Sequence, residues 1–412
     1  MKSNEVNIPI TVIEGDGIGP EIMAAAMRVL DIAVLKAYTG KRSITWQNAL
    51  AGKQAMEALG NPLPESTLEV IRKNKVALKG PLTTAVGGGM QSLNVMLRQA
   101  LDLYICLRPV HRLAGLPSPL AQAGDLDVVV FRENSEDLYT GIEFAAGSAE
   151  NKRFLALLNQ EFPQSYQKIP FKKDVGIGLK PISKEGSQRI TRAAILWAIE
   201  HQRKKITLVH KGNIMKYTEG AFLQWAYDVA ENEFGENCFT RRHYKQTQKE
   251  QGSARAEDES AQAAEAGKII VNDVIADVAF EQAILQPQSF DIVVTTNLNG
   301  DYLSDAFAAL GGGVGISPGA NLNPDLGLGV FEANHGSADE LAGQNRANPC
   351  SLILSGAMLL DFIGWDEAAS LVRQALESTI EKKLVTFDLA RLIVDASVVG
   401  TREFSQHVVD GM

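Results

Sequence analysis

The sequence predicts an α/β fold, because two kinds of pattern alternate along the chain. Residues 127–134 and 290–297 are short runs rich in valine, which are typical of buried strands. Residues 182–200 place Ile190, Ala194 and Ala198 on one side of an amphipathic helix. Since such strands and helices follow one another through the chain, we expect a sheet with helices packed against it.

A glycine-rich turn follows the first predicted strand. Gly15, Gly17 and Gly19 come after the apolar residues 10–13, and a helix is predicted from Glu21. Pro20 stands where the third glycine of the dinucleotide fingerprint belongs. We therefore predict a tight turn between strand and helix, and not a Rossmann nucleotide site.

Length and composition restrict the class of protein. A chain of 412 residues predicts two or three domains, and its net charge of −9 argues against nucleic acid as a partner. No apolar run is long enough to span a bilayer, and the first residues resemble no signal peptide. The three cysteines are far apart and predict neither a disulfide framework nor a zinc site. We expect a cytoplasmic protein without a membrane partner.

The helix predicted after Ser92 is the first part of a candidate anion site. Leu93, Leu97 and Leu101 recur at helical spacing, so Ser92 suits the N-cap position. Asn94 and Arg98 are four residues apart and share one face of such a helix. The free N–H groups of the first turn favour an anion there.

Two further arginines follow strand-like runs. Arg108 ends residues 103–108, where Pro109 is expected to stop the strand, and Arg132 ends the buried run at 127–134. Ligands of open α/β sheets bind beyond the carboxyl ends of strands, and a buried guanidinium needs an anion. With Lys79 and the loop at residues 80–89 nearby, these arginines predict a small, multiply negative ligand, a polycarboxylate or a phosphate. The alternative is that each arginine pairs with a neighbouring carboxylate.

Aspartates after another strand predict a divalent metal site. Asp301 and Asp305 are four apart and share a helix face, and Asp277 is a third acid in an apolar stretch. Oxygen ligands without a histidine suit Mg²⁺ or Mn²⁺. The alternative is that the aspartates only complement a helix dipole. Tyr139 and Lys211 are candidate proton carriers.

Several segments together resemble the homodimeric isocitrate dehydrogenases of bacteria, within the isocitrate/isopropylmalate dehydrogenase family. These segments are residues 92–98, 104–109, 131–134, 211–216, 297–305 and 335–349. The resemblance covers the whole chain and implies that family's α/β fold, which is not Rossmann. It implies a large domain on the coenzyme side (1–103 and 314–412), a small domain with substrate, metal and dimer interface (104–136 and 183–313) and a clasp (137–182).

The resemblance also implies a reaction: oxidative decarboxylation of isocitrate to 2-oxoglutarate and CO₂, as in the tricarboxylic acid cycle. The implied isocitrate site is Ser92, Asn94, Arg98, Arg108, Arg132, Tyr139 and Lys211. The implied metal ligands are Asp301 and Asp305, with Asp277 from a second subunit. Because Lys211 also comes from that subunit, a homodimer with shared active sites is expected, in which Tyr139, Lys211 and Asp277 are catalytic. Isopropylmalate or homoisocitrate as substrate, and a non-catalytic anion-binding regulator, are the alternatives.

The coenzyme site implied by the resemblance lies mainly in the loop that starts at His335. It comprises Thr83, Asn94, His335, Gly336, Ala338, Asp339, Glu340, Leu341, Asn348 and Arg391. NADP-dependent members carry lysine and tyrosine where this chain has Glu340 and Leu341, and a tyrosine where it has Phe387. Since acids repel a 2′-phosphate and accept hydrogen bonds from a free ribose, we predict NAD. Arg391 favours the alternative, NADP.

Overall fold

The computed structural model describes residues 6–83, 91–118 and 126–412. Its strands are β1 Asn7–Ile13, β2 Ser43–Asn48, β3 Val76–Lys79, β4 Ile105–His111, β5 Asp127–Glu133, β6 Glu143–Phe144, β7 Ile177–Gly178, β8 Lys205–His210, β9 Cys238–Thr240, β10 Ile269–Ile275, β11 Ile292–Thr295, β12 Pro318–Asn323, β13 Leu328–Ala333, β14 Leu384–Val385 and β15 Ser397–Val398. Its α-helices are α1 Gly19–Ala37, α2 Lys53–Leu59, α3 Glu65–Asn74, α4 Leu93–Ala100, α5 Ala149–Glu161, α6 Pro163–Gln167, α7 Lys184–Glu200, α8 Glu219–Asn232, α9 Arg241–Gln251, α10 Ser253–Glu265, α11 Ala276–Leu285, α12 Asn297–Gly311, α13 Cys350–Phe362, α14 Asp366–Glu381, α15 Phe387–Ala390 and α16 Thr401–Asp410.

One mixed sheet of eleven strands runs through the molecule, in the order β2-β1-β3-β13-β12-β4-β5-β11-β8-β10-β9. The strands at each end of the sheet pair in parallel, whereas β12 and β4 make antiparallel pairs in the middle. This architecture confirms the predicted α/β fold class. The predicted domain boundaries stay a prediction, with β1, β2, β3, β12 and β13 in one proposed domain and the other strands of this sheet in the second.

The middle of the sheet differs from the arrangement expected for the arginines. We expected Arg108 and Arg132 at the carboxyl ends of their strands, with Pro109 ending the first one. Instead, β4 continues through Pro109 to His111, and it runs antiparallel to β5. The two arginines still point to one face, because Arg108 pairs with Val130, two residues before Arg132. The register also brings Lys79, Glu332 and Gly319 side by side on β3, β13 and β12. Charged side chains therefore lie on several adjacent strands at the centre of the sheet.

The helices close three buried cores on the sheet. The largest includes apolar residues of α1, α13, α14, α7 and α8, a second lies under α3 and α4, and a third under α11 and α12. The turn at Gly15 and Gly17 is tight, as predicted, with φ angles of +83° and +58°. A side chain at Gly17 would lie 2.0 Å from the carbonyl oxygen of Ser337, so the turn packs directly against the loop that contains Ser337.

Residues 236–267 have more structure than the sequence indicated. The hydrophilic composition of this segment predicts an exposed excursion, but the segment forms the edge strand β9 and the helices α9 and α10. Thr247, Ala256 and Ala263 bury one side of this pair, which the high polar content of the segment conceals. Over the described residues, no helix is long and apolar enough to cross a membrane.

Candidate active site

A cavity of about 480 Å³ opens over the centre of the sheet. Its lining combines residues predicted for substrate, for metal and for coenzyme with several that were not predicted. The lining residues are Lys79, Pro81, Leu82, Thr83, Ser92, Asn94, Val95, Arg98, Arg108, Arg132, Tyr139, Asp301, Glu332, Ala333, Asn334, His335, Gly336 and Ser337. Thr84 and the glycines at 87–89, which belong to the predicted loop, lie outside the described residues.

Three buried guanidinium groups form the floor of this cavity. Arg98 donates to Glu332 over 2.9 Å, and Arg108 donates to Asp305 over 3.1 Å. Arg132 is 1% exposed and pairs with Asp301. Burial, with the nearby positive charge of Arg108, lowers the pKa of Arg132. An anion in the cavity would offset both the burial of the Arg132 charge and its repulsion by Arg108.

Glu332 is the functional candidate that the sequence reasoning missed. Its carboxylate lies between the Lys79 ammonium, at 2.6 Å, and the Arg98 guanidinium, at 2.9 Å. Burial alone would raise its pKa, but Lys79 and Arg98 lower the pKa of Glu332 well below its usual range. The available signal was a single acid within the apolar run of β13.

Tyr139 and Asp301 contact each other at the wall of the cavity. The Tyr139 hydroxyl donates to Asp301 Oδ2 over 2.6 Å, and the Arg132 guanidinium lies 4.8 Å from the centre of the Tyr139 ring. Burial, with the bond to Asp301, raises the pKa of Tyr139 to about 12. Tyr139 therefore keeps its proton at neutral pH.

Asp301 and Asp305 project from α12 as the spacing predicted. Burial would raise the pKa of Asp301, but Arg132 and Tyr139 lower that pKa overall, whereas burial raises the pKa of Asp305. In the parts of the chain that the structure describes, no three His, Cys, Asp or Glu side chains gather as a metal-binding group. A site with three carboxylate ligands at these aspartates therefore needs a ligand from elsewhere.

Lys211 and Asp277 do not line the cavity. They pair with each other, and their side chains are 31% and 65% exposed. The side-chain hydrogen bond from Lys211 lowers the pKa of Asp277. Within this chain, the pair therefore lies at the surface, apart from the cavity.

The predicted coenzyme residues divide into two groups. The cavity is lined by Thr83, Asn94, His335 and Gly336, and His335 Nε2 is buried without a hydrogen-bond partner among the described residues. Asn348 is buried, donates to Asp388 over 2.9 Å and accepts from the backbone N–H of Cys350. The remaining members, Ala338, Asp339, Glu340, Leu341 and Arg391, lie outside the lining of the cavity.

The charges of the second group are distributed differently from what the sequence indicated. Asp339 forms an ion pair with Lys53 over 2.6 Å. Arg346 and Arg391 both lie near the Phe387 ring, with their guanidinium carbons 4.6 Å and 5.7 Å from its centre. Arg346 and Arg391 are both exposed, so the surface beside Phe387 carries positive charge.

Comparison with known proteins identifies the family. Residues 9–408 match the description isocitrate/isopropylmalate dehydrogenase. This chain belongs to the isocitrate/isopropylmalate dehydrogenase family. It is 49% identical over 406 residues to "Isocitrate dehydrogenase [NADP]" of Staphylococcus epidermidis, covering 98% of this chain and 95% of that one.

Two further members of the family are similar over nearly their whole length. A protein of the same name from Pseudomonas aeruginosa is 46% identical, covering 98% of this chain and 93% of that one. The crystal structure of isocitrate dehydrogenase from Methylococcus capsulatus is 36% identical with a TM-score of 0.78, covering 98% of this chain and 99% of that one.

The prediction of NAD as coenzyme is wrong by these comparisons. The relatives at 46–49% identity are named as NADP enzymes, although this chain has Glu340 and Leu341 in the His335 loop. The acids of the loop do not by themselves set the charge of this surface. Lys53 neutralises Asp339, and Arg346 lies beside the same Phe387 ring as Arg391.

Proposed function

We propose that this chain catalyses the NADP-dependent oxidative decarboxylation of isocitrate to 2-oxoglutarate and CO₂. The observation that carries the proposal is the cavity in which Arg98, Arg108 and Arg132 meet Tyr139 and Asp301. The names of the curated relatives support the choice of substrate and coenzyme. The enzyme is proposed to act in the cytoplasm, within the tricarboxylic acid cycle.

The buried arginines bind the carboxylates of the substrate. Arg98 Nε and Arg108 Nε are buried and have no hydrogen-bond partner among the described residues. Guanidinium groups form bidentate pairs with carboxylates, so a tricarboxylate provides what these groups lack. Ser92, at the N-terminus of α4, completes the site with a polar group instead of an apolar one, which disfavours isopropylmalate.

Asp301 and Asp305 are suited to hold Mg²⁺ or Mn²⁺ together with Asp277 of the partner subunit. All three donors are carboxylates, which these hard cations prefer. The cation supplies Lewis acidity next to the hydroxyl-bearing carbon of the substrate. Arg132 and Arg108 fix the orientation of the two aspartates before the metal binds.

Proton transfer is assigned to Tyr139 and to Lys211 of the partner subunit. Because Tyr139 stays protonated at neutral pH, its hydroxyl can donate a proton to the substrate carbon from which CO₂ has left. Arg132 holds the ring of Tyr139 in place from one side.

The 2′-phosphate of NADP is assigned to Arg346 and Arg391. The phosphate carries nearly two negative charges, and two guanidinium groups beside Phe387 provide charge-assisted hydrogen bonds. The remainder of the coenzyme is proposed to be held by His335, Gly336 and Asn348. When bound, the coenzyme would supply the hydride acceptor.

The test is initial rates with isocitrate and Mg²⁺, measured with NADP and with NAD in parallel. We expect turnover with NADP that a chelator abolishes and that Mg²⁺ or Mn²⁺ restores. Arg346→Ala and Arg391→Ala should each raise the KM for NADP by roughly 10-fold, the value of one lost charge-assisted bond. The exposed Arg402→Ala on α16 is the matched control and should leave that KM unchanged. Turnover of isopropylmalate instead of isocitrate would refute the substrate assignment.

A further inference from the structure

A buried cluster of charges lies next to the candidate active site and is not used by the proposed chemistry. Asp137 and Glu219 are both 0% exposed, and Lys180 reaches them from the segment before α7. The Lys180 ammonium contacts Asp137 Oδ1 and lies 2.9 Å from Glu219 Oε1. One ammonium cannot satisfy two buried carboxylates, so their other lone pairs need further donors.

Glu219 finds those donors in two different parts of the site. Its Oε2 accepts from the backbone N–H of Lys211 over 2.9 Å and from Asn299 Nδ2 over 2.8 Å. Its Oε1 accepts from the Thr296 hydroxyl over 2.7 Å as well as from Lys180. The four acceptor positions of this carboxylate are therefore all used.

Asp137 connects the same cluster to the rest of α12. Its Oδ2 accepts from the backbone N–H of Leu298 over 3.0 Å, in the first turn of the helix that carries Asp301. Asp137 also begins the short 3-10 turn Asp137–Thr140, which contains Tyr139, and has a φ angle of +71°. A left-handed backbone at a residue other than glycine is strained and persists only where its surroundings hold it.

We propose that Glu219 is a positioning residue that fixes the Lys211 loop and the start of α12 relative to each other, with Lys180 and Asp137 holding Glu219 in place. The inference rests on the proposed function. There, Lys211 serves the active site of the partner subunit, whereas Tyr139 and Asp301 serve the site of their own subunit. Each Glu219 therefore links the two active sites of the dimer.

The nature of the cluster favours positioning over simple stabilisation. Well-packed apolar residues commonly stabilise a buried position at least as well as an ion pair does. A carboxylate with four directional hydrogen bonds gives instead a fixed distance between two elements that the sequence separates by some eighty residues.

Thr296→Val tests the link to α12, because it exchanges one buried hydroxyl for a methyl group of equal size. We expect kcat to fall by about 10-fold, since a displacement near 1 Å can cost up to ~100-fold. The KM for isocitrate should change little, because the arginines of the site are untouched. Thr295→Val is the matched control: its hydroxyl is equally buried and donates to the Val209 carbonyl, outside the cluster. Equal kcat values for the two variants would overturn the inference.

Mixed dimers test the link between the sites. A dimer of one Tyr139→Phe subunit and one Lys211→Met subunit keeps a single complete site, with Tyr139 from the second subunit and Lys211 from the first. Glu219→Gln is then added to either subunit. Both placements should lower the activity of the remaining site by about 10-fold, because one disturbs the Lys211 loop and the other disturbs α12.

The outcomes separate this inference from the proposed function. A loss from only one placement, or from neither, overturns the link through Glu219. If the mixed dimer has no activity, the active sites are not shared between subunits, and the link through Glu219 is overturned as well. Isocitrate turnover by the unmodified enzyme would in that case still support the proposed reaction. Absence of that turnover contradicts the proposed function itself.

Discussion

At the scale of single residues, the buried charges that line the candidate site are met by opposite charges. Glu332 is buried with Lys79 and Arg98 on either side, and Asn321 donates to the same carboxylate over 2.6 Å. Removal of one member of such a group leaves the others buried without compensation. Glu332 therefore both holds the Arg98 guanidinium in place and contributes to the stability of the fold.

Glu332→Gln should lower the free energy of unfolding by about 3–5 kcal/mol at pH 7, because Lys79 and Arg98 lose their counter-charge. The pKa of Glu332 is lowered on folding, so its stabilisation is complete above the usual glutamate pKa of about 4.3 and is lost only as the pH falls toward the lower folded value. The unmodified protein and Glu332→Gln should therefore differ in free energy of unfolding by the same amount at pH 7 and at pH 5.5. Urea denaturation at the two pH values measures this difference.

The exposed Glu69→Gln on α3 is the control for this measurement. It should change the free energy of unfolding by less than about 0.5 kcal/mol. If Glu332→Gln changed the free energy of unfolding by as little, Glu332 would not be the buried counter-charge of Lys79 and Arg98.

At the scale of elements, the approach of α12 to β5 sets the geometry of the site. Gly300 packs so closely on Arg132 that a Cβ there would lie 2.6 Å from the Cβ and Cγ of that arginine. Asn297, at the start of α12, accepts from Arg132 Nε over 2.8 Å. The helix thus holds Arg132 in place both by contact and by hydrogen bonding.

Gly300→Ala should reduce both stability and activity. Alanine ordinarily stabilises a helix relative to glycine by about 1 kcal/mol, but here the methyl group must displace Arg132, at a cost of about 1–3 kcal/mol. We expect a lower thermal midpoint and a KM for isocitrate raised by at least about 10-fold, one lost charged contact. Ala309→Gly, exposed on the same helix, should cost about 1 kcal/mol and leave the KM unchanged.

At the scale of the whole molecule, the exposed surface near Lys211 is the proposed contact between subunits. Ile214 and Tyr217 follow Lys211 in the chain and are 69% and 93% exposed. Apolar side chains that are so open commonly mark a protein–protein contact. The proposed homodimer would cover them and bring Lys211 and Asp277 to the second active site.

Tyr217→Asp should weaken this dimer, because it places a charge in a contact that excludes water. Sedimentation velocity should show a shift toward monomer, and activity should fall on dilution, since each proposed site needs both subunits. Leu35→Asp, at an exposed position on α1, is the control and should leave the oligomeric state unchanged. A Tyr217→Asp protein with an unaltered sedimentation coefficient would contradict the proposed interface.

Local sequence patterns were sufficient to predict the α/β fold class of this protein and the main elements that carry its candidate site. Helices and strands follow from the local spacing of apolar residues, so the spacing of Asp301 and Asp305 and the helix after Ser92 could be predicted. Buried strands that carry Arg108 and Arg132 predicted an anion because a guanidinium is costly to bury alone.

The pairing of charges and the order of strands in the sheet could be read only from the tertiary structure. Asp339 is neutralised by Lys53, and Arg98 by Glu332, across hundreds of residues. The antiparallel insertion of β12 and β4 brings the arginines to one face instead of one edge. Local patterns report the neighbours of a residue along the chain, whereas pairing depends on contacts between distant segments that form only when the sheet is complete.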